Sequence, residues 1–166
     1  MDTDTNTKNN ESFMGGMVHI ILSHSYTVFL LAVVFGLILD VFIPIYIFND
    51  PIYQYIGVSM IILGPAIIYW AQSTSNTTKG QVESKNLTER NFESGPYKYS
   101  RNPTHIGLSI MTIGLGFLLN SVFSILLVAV ASLITKFIFL RKEEGLLEKR
   151  YGQAYLDYKK KVSSWL

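Results

Sequence analysis

Long apolar stretches alternate with shorter polar ones along most of the chain. The apolar stretches cover residues 18–39, 52–71, 103–119 and 122–140. Each is close to the roughly 20 apolar residues that an α-helix needs to cross the hydrocarbon core of a bilayer. A helix also satisfies its own backbone hydrogen bonds, which lipid cannot do. The pattern therefore predicts an all-α integral membrane protein with about four transmembrane helices, followed by amphipathic C-terminal helices.

The polar stretches divide this single membrane domain into segments. Residues 1–12 are rich in Asp, Thr and Asn and carry too little apolar surface to order themselves. Residues 41–48 are expected to continue the first helix as a kinked or interfacial piece. The predicted segments are a disordered tail (1–12), helices 1 and 2 (13–71), a cytoplasmic loop (72–102), a helical hairpin (103–140) and cytoplasmic or interfacial amphipathic helices (141–166).

The hairpin follows from the length of one connection. Asn120 and Ser121 are the only residues between the last two apolar stretches. A connection this short forces the two helices to run antiparallel, so their other ends must meet on one side of the membrane.

Charge placement predicts the orientation of the helices. All 14 lysines and arginines except Lys136 fall in the N-terminal tail, the 72–102 loop or the C-terminal segment. Four spans would put these regions on one side, and the positive-inside rule assigns that side to the cytoplasm. We therefore expect both termini in the cytoplasm, with Lys136 extending its amine toward the same interface. Asp40 would then lie at the opposite, outer edge of the membrane.

The C-terminal segment has a helical period of its own. Leu147, Tyr151, Tyr155, Tyr158 and Val162 recur at three- and four-residue spacing, which predicts an amphipathic helix with a tyrosine-lined face. Gly152 falls within this pattern and weakens a helix, so two short helices joined near it are expected.

Composition narrows the possible chemistry. The chain has no cysteine, which excludes disulfides, thiolate catalysis and cysteine-based zinc sites. His19 and His24 do not share a helix face, so we expect no metal site. Nothing in the sequence indicates nucleic-acid binding. Gly114 and Gly116 lie within an apolar helix and indicate helix packing rather than a nucleotide loop.

Two ionisable clusters flank the hairpin. Arg101 and His105 precede its first helix, and Glu143 and Glu144 follow its second. The hairpin brings both clusters to the same membrane face. Ionisable groups at membrane depth cost about 2.5–3.5 kcal/mol or more, so each calls for a partner or a function. An ion pair between Arg101 and a glutamate is the simplest account.

The same clusters carry a resemblance to a known family. Residues 95–107 read GPYKYSRNPTHIG and residues 143–162 read EEGLLEKRYGQAYLDYKKKV. They resemble the G-x-Y-x-x-x-R-H-P-x-Y-x-G and E-E-x-x-L-x-x-x-F-G-x-x-Y-x-x-Y-x-x-x-V-P signatures of the isoprenylcysteine carboxyl methyltransferase and phospholipid methyltransferase family. The two motifs are joined by a helical hairpin, as in that family, and the resemblance covers about residues 92–162.

This resemblance implies an S-adenosylmethionine-dependent methyltransferase that acts on a lipid or lipidated acceptor. Family members bind the cofactor in a pocket formed by the last two spans and covered by the C-terminal helices. Arg101 and Glu143 are the implied catalytic residues. The implied cofactor-binding residues are Tyr97, Arg101, Pro103, His105, Gly107, Glu143, Glu144 and Tyr155.

The sequence departs from the family pattern at four places. Asn102 stands where the family usually has His, and His105 stands where it usually has Tyr. The chain also lacks the usual proline after Val162. The prenylcysteine enzymes carry an arginine after the second span, whereas this chain has only uncharged residues at 72–76.

Several functions stay open at this point. Carboxyl O-methylation of an isoprenylcysteine-like substrate is the first expectation, and N-methylation of a phospholipid of the phosphatidylethanolamine type is the second. An NADPH-dependent sterol-type reductase resembles the chain near the R-x-P motif and the C-terminal tyrosines. A non-catalytic membrane partner protein would keep the hairpin for packing alone. The methyl acceptor, the oligomeric state and the particular membrane do not follow from the sequence.

Overall fold

The computed structural model describes residues 24–46, 49–85 and 93–165. All regular structure in these ranges is helical, which confirms the predicted all-α class. The elements are α1 (His24–Phe42), α2 (Pro51–Lys85), a 3₁₀ turn (Gly95–Lys98), α3 (Pro103–Leu118), α4 (Val122–Ile134), a π-helical stretch (Thr135–Leu140), α5 (Arg141–Tyr151) and α6 (Gln153–Lys161). The predicted tail at 1–12 and the beginning of the first apolar stretch lie outside the described residues.

Three helices in the described ranges are long and apolar enough to cross a membrane. They are α1, the Pro51–Thr77 part of α2, and the continuous helix Val122–Lys149, which joins α4 to α5. The fourth apolar helix, α3, is shorter. Only 11% of the spanning part of α2 is buried, so most of its apolar surface is available to lipid. The protein is thus an all-helical, multi-pass membrane protein.

α2 runs beyond the second predicted span, which ends at residue 71. The hydroxyl of Thr74 donates to the carbonyl oxygen of Trp70 at 2.8 Å, and that of Thr77 donates to the carbonyl of Ser73 at 3.0 Å. Such bonds give the hydroxyl group of a helical residue a hydrogen-bond acceptor within its own helix. The helix thus accommodates these hydroxyls, and the polar stretch predicted as a loop is helical to Lys85.

Pairs of glycines bring α2 and α3 together. A Cβ added at Gly64 would lie 2.6 Å from the carbonyl oxygen of Gly107, and one added at Gly114 would lie 2.8 Å from that of Gly57. The two main chains are therefore in direct contact, as is common where small residues line membrane helix interfaces. Gly116 instead faces Ile125 of α4. These contacts confirm the helix-packing interpretation of Gly114 and Gly116.

α1 packs against the hairpin formed by α3 and α4. Phe29 and Val33 of α1 form a buried cluster with Leu108 of α3 and Val128 of α4. Asn120 adopts a positive φ of 52° in the turn between α3 and α4, a conformation that asparagine tolerates better than most residues.

Asp40 lies at the turn end of the hairpin. It accepts a hydrogen bond from the hydroxyl of Ser121, the residue that caps the start of α4. The end of α1 and the turn of the hairpin are therefore at the same end of the bundle, opposite the ionisable clusters.

The C-terminal segment folds as two short helices, and Gly152 separates them. Gly152 has φ +54° and ψ −129°, which ends α5 and begins α6. Tyr155, Tyr158 and Val162 are buried together, with Leu147 and Tyr151 packed against them. This cluster confirms the amphipathic face predicted from the sequence.

Candidate functional site

Arg101 lies between the 3₁₀ turn and α3, in a segment that we call the arginine loop (residues 95–102). Its Nη1 atom is 3.0 Å from Oε1 of Glu144 on α5, and the two side chains are only 10% and 11% exposed. This contact confirms that the hairpin brings the two ionisable clusters together. It also confirms the ion pair expected as the simplest account of Arg101.

The ion pair leaves several of its buried polar atoms without a hydrogen bond among the described residues. Although Nη1 of Arg101 and Oε1 of Glu144 are close, neither has a hydrogen bond of acceptable geometry within the described residues. Nε of Arg101 is also buried without a partner there. Buried polar atoms normally form hydrogen bonds. These atoms therefore keep donor and acceptor capacity for a third group.

α6 completes the charge cluster. Nζ of Lys159 lies 3.2 Å from Oε2 of Glu144 and 2.5 Å from Oε1 of Glu148. The hydrogen bond to Glu148 is the main reason that the pKa of Lys159 lies above its ordinary value, and the bond and charge of Glu144 add to it. Arg101, Glu144 and Lys159 thus join three separate elements.

A cavity of about 430 Å³ opens beside this cluster. Its volume falls within the roughly 300–1,000 Å³ that is usual for small-molecule sites. The residues that line it are Arg101, Lys136, Phe137, Leu140, Arg141, Glu144, Gly145, Glu148, Lys159 and Ser164. Both charged and apolar groups thus form its wall.

The C-terminal tail is bound to the arginine loop. The backbone N–H of Arg101 donates to the carbonyl oxygen of Ser163 at 3.0 Å. The hydroxyl of Ser100 donates to the carbonyl oxygen of Ser164 at 3.1 Å, and Nδ2 of Asn102 donates to the hydroxyl oxygen of Ser164 at 3.1 Å. Asn102, a departure from the family pattern, therefore holds the tail in place.

Tyrosines of α6 hold the same loop from the other side. The hydroxyl of Tyr158 donates to the carbonyl oxygen of Tyr97 at 2.7 Å. The guanidinium of Arg101 donates a hydrogen bond to the phenol oxygen of Tyr155. Burial, followed by the charge of Glu144, raises the pKa of Tyr155 well above its ordinary value, so the phenol stays protonated.

The two glutamates of the acidic pair have different surroundings. Glu144 lines the cavity, whereas Glu143 does not. Oε2 of Glu143 is buried without a hydrogen-bond partner among the described residues, and Glu143 interacts electrostatically with Tyr26 of α1. Successive residues on a helix point about 100° apart, which explains how adjacent glutamates face different elements.

The other expected site residues do not line the cavity. Pro103 and His105 are buried in the first turn of α3, and Nε2 of His105 has no hydrogen-bond partner within the described ranges. Gly107 contacts α2 at Gly64, where it serves helix packing. Of the eight residues expected to bind the cofactor, Arg101 and Glu144 line the cavity, and the rest lie outside its lining.

Comparison with known proteins identifies the family. A model described as phospholipid methyltransferase matches residues 52–154, which is more than half of the chain. The chain belongs to the phospholipid methyltransferase family. No curated protein and no solved structure matches it.

Membership of this family indicates a membrane methyltransferase that acts on lipid. The matched residues contain the arginine loop, the hairpin and α5, and therefore most of the cavity wall. The family match favours methyl transfer over the reductase reading.

Sequence reasoning missed several residues of this family member's cavity. Lys136 was expected only to reach the interface, yet it lines the cavity together with Phe137 and Leu140. A charged residue inside an apolar helix is a signal that points to such a site. No comparable signal marks Ser164, because its contacts with residues 100 and 102 are formed only by the folded chain.

Proposed function

We propose that this protein transfers a methyl group from S-adenosylmethionine to a lipid acceptor, in the cavity between the arginine loop, α5 and α6. The observation that carries the proposal is the cavity itself. It has the size of a small-molecule site, and Arg101 and Glu144 reach it with buried polar atoms that lack hydrogen bonds in the described part of the chain.

The charged groups of the cavity wall suit the proposed cofactor. S-adenosylmethionine carries a sulfonium, an ammonium, a carboxylate and ribose hydroxyls, and when bound it supplies an electrophilic methyl group. Glu144 and Glu148 offer carboxylates for its positive groups, and Arg101 and Lys159 offer donors for its carboxylate and hydroxyls. Opposite charges on one wall fit a zwitterionic molecule better than a simple ion.

The protein's part in the reaction is mainly positioning. Holding two reactants in near-attack geometry can supply about 7–11 kcal/mol of the barrier. Ser163 and Ser164 fix the backbone of Arg101 and its neighbours, and Glu144 and Tyr155 contact its side chain, so the guanidinium is positioned before any ligand binds. The apolar wall at Phe137 and Leu140 offers a surface for a lipid beside the charged wall.

We propose a phospholipid amine as the acceptor. An amine must lose a proton before it attacks the methyl carbon, whereas a carboxylate with a reference pKa near 4 needs no base. Glu144 and Glu148 offer carboxylates in the cavity wall for this proton, whereas Glu143 lies outside the lining. In this proposal one of these two carboxylates accepts the proton, and the apolar wall at Phe137 and Leu140 faces the lipid.

Carboxyl O-methylation of an isoprenylcysteine-like lipid is the second candidate. The motifs of the arginine loop and the C-terminal helices resemble those enzymes as well. Against it, α2 has no cation at 72–76 that could face a substrate carboxylate. We further propose that the cavity opens to the cytoplasm, as the distribution of basic residues indicates.

Calorimetry and product analysis test these proposals. The purified protein is expected to bind S-adenosylmethionine and not NADPH. Binding of NADPH alone would support a reductase, and binding of neither would favour a non-catalytic partner protein. Lipid extracts incubated with methyl-labelled cofactor are then resolved by mass. A label that mild base releases as methanol is a carboxyl ester, and a label that resists base is on nitrogen.

A further inference from the structure

The helix that carries the cavity wall changes its geometry at the cavity. Residues Thr135–Leu140 form a π-helical stretch between α4 and α5. π-helical turns are rare and occur often at functional sites. Lys136, Phe137 and Leu140 of this stretch line the cavity, as does Arg141, the residue after it. The hydroxyl of Thr135 is buried and has no partner within the described residues.

The two cations at this end of the cavity, Lys136 and Arg141, differ from those of the charge cluster. Arg101 and Lys159 each contact Glu144, whereas Lys136 and Arg141 form no ion pair with any carboxylate in the described ranges. Their neighbours are aromatic instead. Nζ of Lys136 lies 5.7 Å from the centre of the Trp165 ring, and the guanidinium of Arg141 lies 5.3 Å from that of Phe137. Among the described residues, two positive charges on the cavity wall therefore lack an anion.

The surroundings of these cations indicate which anion they would bind. Lys136 belongs to the apolar helix Val122–Lys149, and it is next to apolar Phe137 on the wall. A charge at this depth is costly unless it is paired. An amphiphile satisfies both features, because its anionic group pairs with the cations while its chains cover the apolar wall.

We propose that Lys136 and Arg141 form a subsite for the phosphate of a phospholipid. This inference rests on the proposed function and deepens it, since it assigns the π-helical end of the cavity to the acceptor and the Glu144 end to the cofactor. The carboxylate of the cofactor is the other source of an anion with the same chemistry, and the experiment below distinguishes the two.

Trp165 provides a direct readout of this subsite. The chain has two tryptophans. Replacing the other one by Trp70→Phe leaves Trp165 as the single reporter, next to Lys136. In this background we would titrate the detergent-solubilised protein with short-chain phosphatidylethanolamine, with diacylglycerol of the same chain length, and with S-adenosylmethionine. None of these titrations requires methyl transfer.

We expect the phospholipid, and not the diacylglycerol, to change Trp165 fluorescence saturably. Lys136→Gln should weaken phospholipid binding by about tenfold or more, as expected for loss of one charged hydrogen-bond partner. Lys136→Arg should restore most of it. Lys142→Gln is the matched control, because Lys142 is exposed and does not line the cavity.

Three outcomes would overturn the subsite. Equal binding of the two lipids would show that the protein does not recognise the phosphate. An equal loss of phospholipid affinity in Lys142→Gln would indicate that surface charge alone is responsible. Loss of cofactor affinity in Lys136→Gln, with lipid affinity unchanged, would assign the cations to the cofactor carboxylate. Phospholipid binding through Lys136 without any methyl transfer would instead contradict the proposed function and leave the subsite intact.

Discussion

Nη1 of Arg101 and Oε1 of Glu144 lie 3.0 Å apart, although the two residues are 43 positions apart in the sequence and a complete helical hairpin lies between them. The pair links the start of α3 to the helix that follows α4. It also borders the cavity and is mostly buried. The roles of these two residues are therefore best tested together.

Replacing Arg101 by glutamine should weaken S-adenosylmethionine binding by at least tenfold. The change removes a charged donor from the cavity wall, and hydrogen bonds to charged groups contribute about 1.5–3 kcal/mol. Lys98→Gln in the same loop is the control, because Lys98 is exposed and lies outside the cavity lining. Calorimetry of the solubilised proteins measures both. Equal affinity in the Arg101→Gln, Glu144→Gln and wild-type proteins would show that these two residues do not bind the cofactor.

Enlarging Gly107 to alanine should destabilise the membrane domain by about 1–3 kcal/mol, as overpacking usually does. The new Cβ would lie 2.7 Å from the carbonyl oxygen of Gly64, a backbone atom that cannot move aside without separating α2 from α3. Ala66→Leu, at an exposed position of α2, adds more volume and should have little effect. Thermal unfolding in detergent compares the two. A smaller loss for Gly107→Ala than for Ala66→Leu would contradict the close contact.

Replacing Gly152 by alanine should lower the free energy of unfolding by about 1–3 kcal/mol through backbone strain. Residues other than glycine rarely adopt its φ of +54° and ψ of −129°. Space is not the reason, since a Cβ there meets nothing within 4 Å. Gly145 has the same free space within α5, so Gly145→Ala should stabilise its helix slightly. Limited proteolysis of the C-terminal helices should therefore accelerate only in Gly152→Ala. The same cleavage rate in both variants would refute the strain argument.

Alkaline pH should weaken the attachment of α6. The pKa of Lys159 is raised, first by its hydrogen bond to Glu148 and then by Glu144. Its contribution to stability is therefore complete below the ordinary lysine pKa of about 10.4 and is lost as the pH rises through the higher folded value. Unfolding measured between about pH 8 and pH 12 should show this loss in the wild type. Lys159→Met should lose less stability over the same range, and identical profiles would exclude Lys159 as the source.

The helices and the amphipathic face could be predicted because they depend on local patterns. Apolar runs define the membrane helices, and the spacing of Tyr151, Tyr155 and Tyr158 defines the buried face of the C-terminal helices. The meeting of Arg101 with the acidic pair followed from the short turn at Asn120. Each of these inferences needed only periodicity or chain length.

Other features could not be predicted because they depend on the folded chain. α2 continues through Thr74 and Thr77, whose hydroxyls bond to carbonyls of the same helix, although the composition of this stretch is typical of a loop. The π-helical stretch has no sequence signature, and the charge of Lys136 in an apolar helix marks a site without showing which cavity it lines. The separation of Glu143 from Glu144 depends on which elements pack on either side of α5.

The glycine contacts between α2 and α3 also limit how a bilayer molecule can reach the cavity. At Gly57–Gly114 and Gly64–Gly107 main chain contacts main chain, so we expect α2 and α3 to stay together. Gly36 makes the same kind of contact between α1 and the backbone of Ser124 on α4. We therefore expect a bilayer molecule to enter beside α6, which is attached through side chains and hydrogen bonds.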